Sequence, residues 1–162
     1  MTERRPSKTE YYLKTAESIA LRSTCLRRRF DAIVVKDDII ISTGYAGSPR
    51  GRLNCCDIGK CFRMENKIPS GQRYELCRSV HAEMNAVINA DPLKRIGATL
   101  YLVGIENDLS YTEADCCSMC KRVIINSGIS KVIFRTADGF TREVNVHDWV
   151  DNDDSLTIHE GY

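Results

Sequence analysis

Residues 80–87, Val80-His81-Ala82-Glu83-Met84-Asn85-Ala86-Val87, set a histidine and a glutamate two positions apart at the start of what reads as a helix. Alone the pair is ambiguous, because an acidic residue in a first turn is favoured by the helix dipole whatever its function. The reading turns on whether the chain holds partners for His81. Cys117-Ser118-Met119-Cys120 supplies them. Its two ligating cysteines are three residues apart, on one face of the first turn of a second expected helix. The positive end of that helix favours thiolate over thiol.

One imidazole and two thiolates are a three-ligand zinc set that leaves the fourth tetrahedral position to water. Zinc lowers the pKa of such a water, and a carboxylate beside it, here Glu83, takes the proton and delivers it to a ring nitrogen and then to a departing amine. His-x-Glu with Cys-x-x-Cys is the pattern of zinc deaminases acting on nucleobases. The competing reading is a structural zinc, held by His81, Cys117, Cys120 and one loop cysteine.

The bulk composition sets the frame. A chain of 162 residues, 43% hydrophobic and 28% charged, is long enough for one domain with its own core, expected to span residues 1–162. Lys and Arg number 23 against 22 Asp and Glu, a net charge of +1 that lends no support to general nucleic-acid binding. The N-terminal MTERRPSKTEYYLK has no apolar core of a signal peptide, and no apolar run approaches a membrane span. A cytoplasmic protein is therefore expected, and its eight cysteines are read as thiols or metal ligands.

Residues 8–22 place Tyr12, Ala16, Ile19 and Ala20 on one helical stripe, with Ser7 and Glu10 as a capping box. Residues 31–36 and 39–45 read as two strands around a turn at Lys36-Asp37-Asp38. Residues 46–78 read as a long loop, of the kind that a compact domain keeps for function or holds with a metal. A helix over 81–90 stops at Asp91-Pro92, 99–105 is a strand, 117–127 is a helix ended by Gly128, and 131–136 is a strand. The tail, 143–156, is expected to add an edge strand and a surface turn anchored by Trp149. This order predicts a three-layer α/β/α fold with one central mixed sheet.

From about Tyr11 to about Thr136 the chain resembles the cytidine and deoxycytidylate deaminase superfamily, and within it the deoxycytidylate branch. Three segments carry the likeness: ISTGYAGSPRG (41–51), VHAEMNA (80–86) and CCSMCKRVIINSGI (116–129). The resemblance implies a cytidine-deaminase-like fold and hydrolysis of dCMP to dUMP and ammonia. It implies His81, Cys117 and Cys120 as zinc ligands and Glu83 as proton shuttle. It places Ala46, Gly47, Ser48 and Arg50 at the nucleotide, with Arg50, or else Arg52 or Arg78, on the phosphate, and Tyr101 near the base. Homo-oligomers, often hexamers, are implied too, as are dCTP and dTTP as effectors with Mg²⁺. Two positions depart from the family. Ala46 stands where Asn is usual and has no polar group for the nucleotide. Cys116 stands where Pro is usual and brings a third thiol near the zinc, although only Cys117 makes the spacing with Cys120.

The remaining cysteines gather around the long loop. Cys25, Cys56, Cys61 and Cys77, with Cys55 as the alternative to Cys56, are the expected ligands of a second, structural zinc. Other substrates considered are dCTP, CMP, cytidine, a riboflavin-pathway pyrimidine and adenosine in tRNA. The last is carried only by the Arg27-Arg28-Arg29 cluster. A zinc-stabilised binding module without turnover is the reading from outside the enzymes.

Overall fold

A computed structural model describes residues 5–153. Its sheet begins with a tight hairpin. Asp37 and Asp38 both take positive φ, 48° and 65°, the conformation that lets a two-residue turn follow the right-handed twist of its strands. The strands so joined are β1 (Arg29–Lys36) and β2 (Ile39–Tyr45), antiparallel, with a bulge between Val34 and Val35. β1 pairs antiparallel on its other side with β3 (Thr99–Ile105). β3 pairs parallel with β4 (Lys131–Arg135), and β4 antiparallel with β5 (Thr141–Asn145). The sheet order is β2-β1-β3-β4-β5, a mixed sheet as expected.

Both faces are covered. On one face α1 (Lys8–Ala20) lays Tyr12, Leu13, Ala16 and Ala20 against Ile33, Val35, Tyr101, Val103 and Ile133. The Ser7 side chain accepts from the Glu10 amide at 3.1 Å. The Glu10 carboxylate is held at 2.9 Å by Arg135, whose side chain is 3% exposed and also reaches Glu17. The opposite face carries α4 (Ala82–Asn89) and α5 (Ser118–Asn126), packed on Ala32, Val34, Leu100, Leu102, Val132 and Phe134. Each such large apolar side chain contributes about 1.5–3 kcal/mol on burial. α5 is the crossover that the parallel β3–β4 pair demands, and Gly128, at φ 78°, follows its last turn.

Residues 46–78 are less irregular than the sequence suggests. They contain two single helical turns, α2 (Cys55–Ile58) and α3 (Phe62–Glu65), and a 3₁₀ turn at Tyr74–Leu76. The expected surface turn after β5 is instead a short helix, α6 (Val146–Asp151), whose cap Asn145 accepts from the His147 amide at 3.0 Å. Trp149 packs on the core beneath α4 and α5. Residues 154–156 of the expected tail lie outside the described residues. Among the described residues no helix is long and apolar enough to cross a membrane.

Candidate active site

α4 reaches its place because β2 offers no side chain at Gly44. A Cβ there would lie 2.1 Å from the Ala86 amide nitrogen and 2.6 Å from the Ala82 carbonyl oxygen. Backbone therefore rests on backbone, and side chains lace the contact. Ser42 donates to the Ala86 carbonyl at 2.8 Å, Asn85 to Tyr45 at 2.9 Å and Asn89 to Thr43 at 2.8 Å. At the far ends of the two helices, Arg95 donates to the carbonyls of Val87 at 2.9 Å and Ser127 at 3.3 Å. The carbonyl ends are tied together and the amide ends converge.

At those amide ends stand His81 and Cys117, each the N-cap of its helix with an extended backbone. His81 Nδ1 lies 3.5 Å from Cys117 Sγ and 3.4 Å from Cys120 Sγ. Among the described residues this is the one group of three His, Cys, Asp or Glu side chains whose ligand atoms all lie within 4.8 Å of one another. The two thiols hydrogen-bond to each other. Cys117 is drawn down to about 4, first by the hydrogen bond with Cys120 and then by His81, which outweigh burial, while the same bond and burial drive Cys120 up. Burial pulls His81 down, but the Cys117 bond and the Glu83 charge leave it raised. A neutral nitrogen and two soft sulfurs in this spacing are the donor set that zinc prefers.

Glu83, two residues after His81 in the first turn of α4, lines the same hollow and is 5% exposed. Burial raises its pKa, and the nearby His81 offsets only part of that. A raised carboxyl holds its proton more readily than a free one, which suits a group that must both take up and hand on a proton. Cys116, 4% exposed, is pushed well above an ordinary thiol by burial and by Glu83. It lines the hollow as a thiol while the cluster is made by Cys117 and Cys120.

The hollow opens into a cleft of about 1110 Å³. Arg27, Arg28, Phe30, Arg63, Tyr74, Lys121 and Trp149 are among its lining residues. None of these was singled out for the site by sequence. Only the Arg27-Arg28 pair carried a local signal, a run of like charge.

Of the residues expected at the nucleotide, Ala46 lines the cleft and the others do not. Gly47 exchanges backbone hydrogen bonds of 3.2 and 2.8 Å with Val80, fixing the chain just before His81. The Ser48 hydroxyl is buried and has no hydrogen-bond partner among the described residues. Arg50 is turned outward onto Asn89 at 2.6 Å, so it does not face the cleft. Arg78 donates to the Leu53 carbonyl, and Arg52 is exposed. Tyr101 lies on the other side of the sheet, 5.0 Å from the Tyr12 ring, because residues of β3 alternate and Leu100 and Leu102 take the face toward α4.

The thiols around the long loop also sort differently. Cys56 is exposed, its sulfur toward Asp57, whereas Cys55 is buried at 5% exposure. Burial raises the Cys55 thiol, and the nearby thiols of Cys25, Cys61 and Cys77 raise it further. Cys77 likewise feels Cys25 and Cys61. Among the described residues no three of these sulfurs lie within 4.8 Å of one another, and Cys55 and Cys56 face different surroundings because neighbours on a helical turn point in different directions.

Comparison with known proteins adds independent findings. The profile of the cytidine and deoxycytidylate deaminase zinc-binding region matches residues 6–136. The deoxycytidylate deaminase of Mycobacterium phage D29 is 35% identical over 80% of this chain and 95% of its own. That of Schizosaccharomyces pombe is 33% identical over 82% of this chain, which spans only 38% of the yeast protein. A crystal structure of the dCMP deaminase of cyanophage S-TIM5, in complex with dCMP and dUMP, superposes with a TM-score of 0.56. The match is 27% identical and covers 83% of this chain and 85% of the phage protein.

Proposed function

The chain belongs to the cytidine and deoxycytidylate deaminase family, and on that premise we propose that it hydrolyses dCMP to dUMP and ammonia. The observation that carries the reading is the convergence of His81 Nδ1 with the Cys117 and Cys120 sulfurs beside a buried Glu83. The phage D29 relative, 95% of which is covered by the match, supports the substrate.

His81, Cys117 and Cys120 would hold the zinc, which would supply the Lewis acid for the attacking water. Glu83 accepts the first proton that this water gives up as its oxygen bonds to the base carbon bearing the amine, and passes it to the adjacent ring nitrogen. It then moves the second proton to the amine, the carbon–nitrogen bond breaks, and ammonia leaves as the carbonyl forms. Arg27 and Arg28, which line the cleft, receive the phosphate. Ala46 leaves the sugar to be held by backbone and by the Phe30 wall.

Cys25, Cys55, Cys61 and Cys77 would hold a second, structural zinc, which would order the 46–78 segment. Eight free thiols suit a reducing compartment, and the protein is assigned to the cytoplasm. A homo-oligomer accounts for the exposed apolar side chains of Ile88, Leu93 and Ile96. Control by dCTP, dTTP and Mg²⁺ rests on the family alone.

The test is ammonia release by the zinc-loaded protein with dCMP, CMP, dCTP and deoxycytidine compared in one assay. Preference for dCMP supports the reading. Preference for another of the four moves the specificity argument to Ala46, and turnover of none refutes the dCMP assignment.

A further inference from the structure

Arg63 has an unusual position for a charged residue of a surface loop. It sits in a single helical turn, yet is 6% exposed. One terminal nitrogen donates to the carbonyls of both Pro69 and Gln72 at 2.7 Å, so the guanidinium is fixed at the centre of the loop. Its carbon stands 4.4 Å from the centroid of the Tyr74 ring. That ring in turn meets the His81 imidazole at 4.7 Å, nearly perpendicular, at an interplanar angle of 88°. The three groups form one continuous stack from the loop backbone to the nitrogen heterocycle of the metal cluster. Both Arg63 and Tyr74 also line the cleft.

We propose that Arg63 and Tyr74 are positioning residues for His81: the stack holds the imidazole plane so that Nδ1 stays aimed at the two thiols. A histidine N-cap has no helical neighbour on its outer side to stop its ring from turning. Here Tyr74 supplies that stop, and Arg63, pinned by two carbonyls, keeps Tyr74 from withdrawing. Partners behind a metal ligand commonly set metal affinity by 10- to 100-fold, and a stack across two rings serves the same end as a hydrogen bond to the ligand.

The inference rests on His81 being a zinc ligand, and the experiment separates the two claims. Zinc affinity is measured by chelator competition on wild type, Tyr74→Phe, Tyr74→Leu and Arg63→Lys, together with the visible spectrum of the cobalt-loaded protein. Tyr74→Phe keeps the ring and is expected to match wild type. Tyr74→Leu keeps much of the volume without the ring, and Arg63→Lys removes the planar guanidinium that lies over the Tyr74 ring and replaces it by a compact ammonium on a flexible stem. Both are expected to lose roughly tenfold or more in affinity and to shift the cobalt bands, at thermal midpoints close to wild type. If Tyr74→Leu does not fold, Arg63→Lys decides. Wild-type affinity and an unshifted cobalt spectrum in the folded variants overturn the positioning role. Failure of wild type itself to bind zinc through His81, read as no loss on His81→Ala, overturns the site assignment instead.

Discussion

Asp31 offers a quantitative test of how the sheet is buried. It lies in the middle of the hydrogen-bonded sheet, between Tyr45 of β2 and Val103 of β3, and is 0% exposed. Neither carboxylate oxygen makes a well-formed hydrogen bond among the described residues. Burial pushes its pKa from 3.8 up to about 8, with the Ala32 amide offsetting only part. Below the unfolded value, both states hold the proton and Asp31 adds no pH dependence. Between 3.8 and about 8 the folded state keeps a proton that the unfolded chain has lost, so stability falls as pH rises. Above about 8 the loss is complete.

At about 1.4 kcal/mol per pH unit, the interval between pH 6 and 8 alone is worth about 3 kcal/mol. Asp31→Asn removes the ionisation and keeps the shape. Urea unfolding of the zinc-loaded protein and this variant at several pH values from 6 to 9.5 isolates the effect, because every other titrating group is common to both. The variant is expected to gain on wild type as pH rises, by about 3 kcal/mol in all, which moves the urea midpoint by roughly 1 M or more. Curves that run parallel across that range refute the reasoning.

Other consequences are as direct. Glu83→Gln is expected to lower kcat roughly 100- to 10,000-fold while zinc content by atomic absorption stays at the wild-type value. Gly44→Ala sets a methyl group against the α4 backbone and should cost about 3 kcal/mol in unfolding free energy, with catalytic zinc lost in parallel because His81 rides on that helix. Metal analysis of Cys55→Ser should show one zinc fewer per chain than wild type. Cys56→Ser should keep both, and the reverse result would restore Cys56 to the ligand set.

The elements with a local signature were legible in the sequence. Alternating and apolar runs placed the strands within a residue or two, and both cluster motifs fell at helix starts. Tyr101 was misplaced for a physical reason. β3 is buried on both faces, so its residues show no polar–apolar alternation to say which side of the sheet each one takes. Arg50 follows a tight loop whose final direction depends on Asn89, 39 residues away. Arg63 and Tyr74 carried no signal because each is defined by what folds against it. Cys55 and Cys56 are adjacent, and spacing alone does not separate them.

Two blocks of chain meet at the metal cluster. The β1–β2 hairpin with α4 brings His81 and Glu83, and the β3–α5–β4 unit brings both thiols. The hydrogen bonds between β1 and β3 are the seam. Each block keeps its own helix and strands if the seam loosens, so a partial opening should leave the far-ultraviolet signal nearly intact. Turnover requires both sides in register. In this protein catalysis is a finer gauge of assembly than secondary structure, and its loss on heating or in mild denaturant should come first.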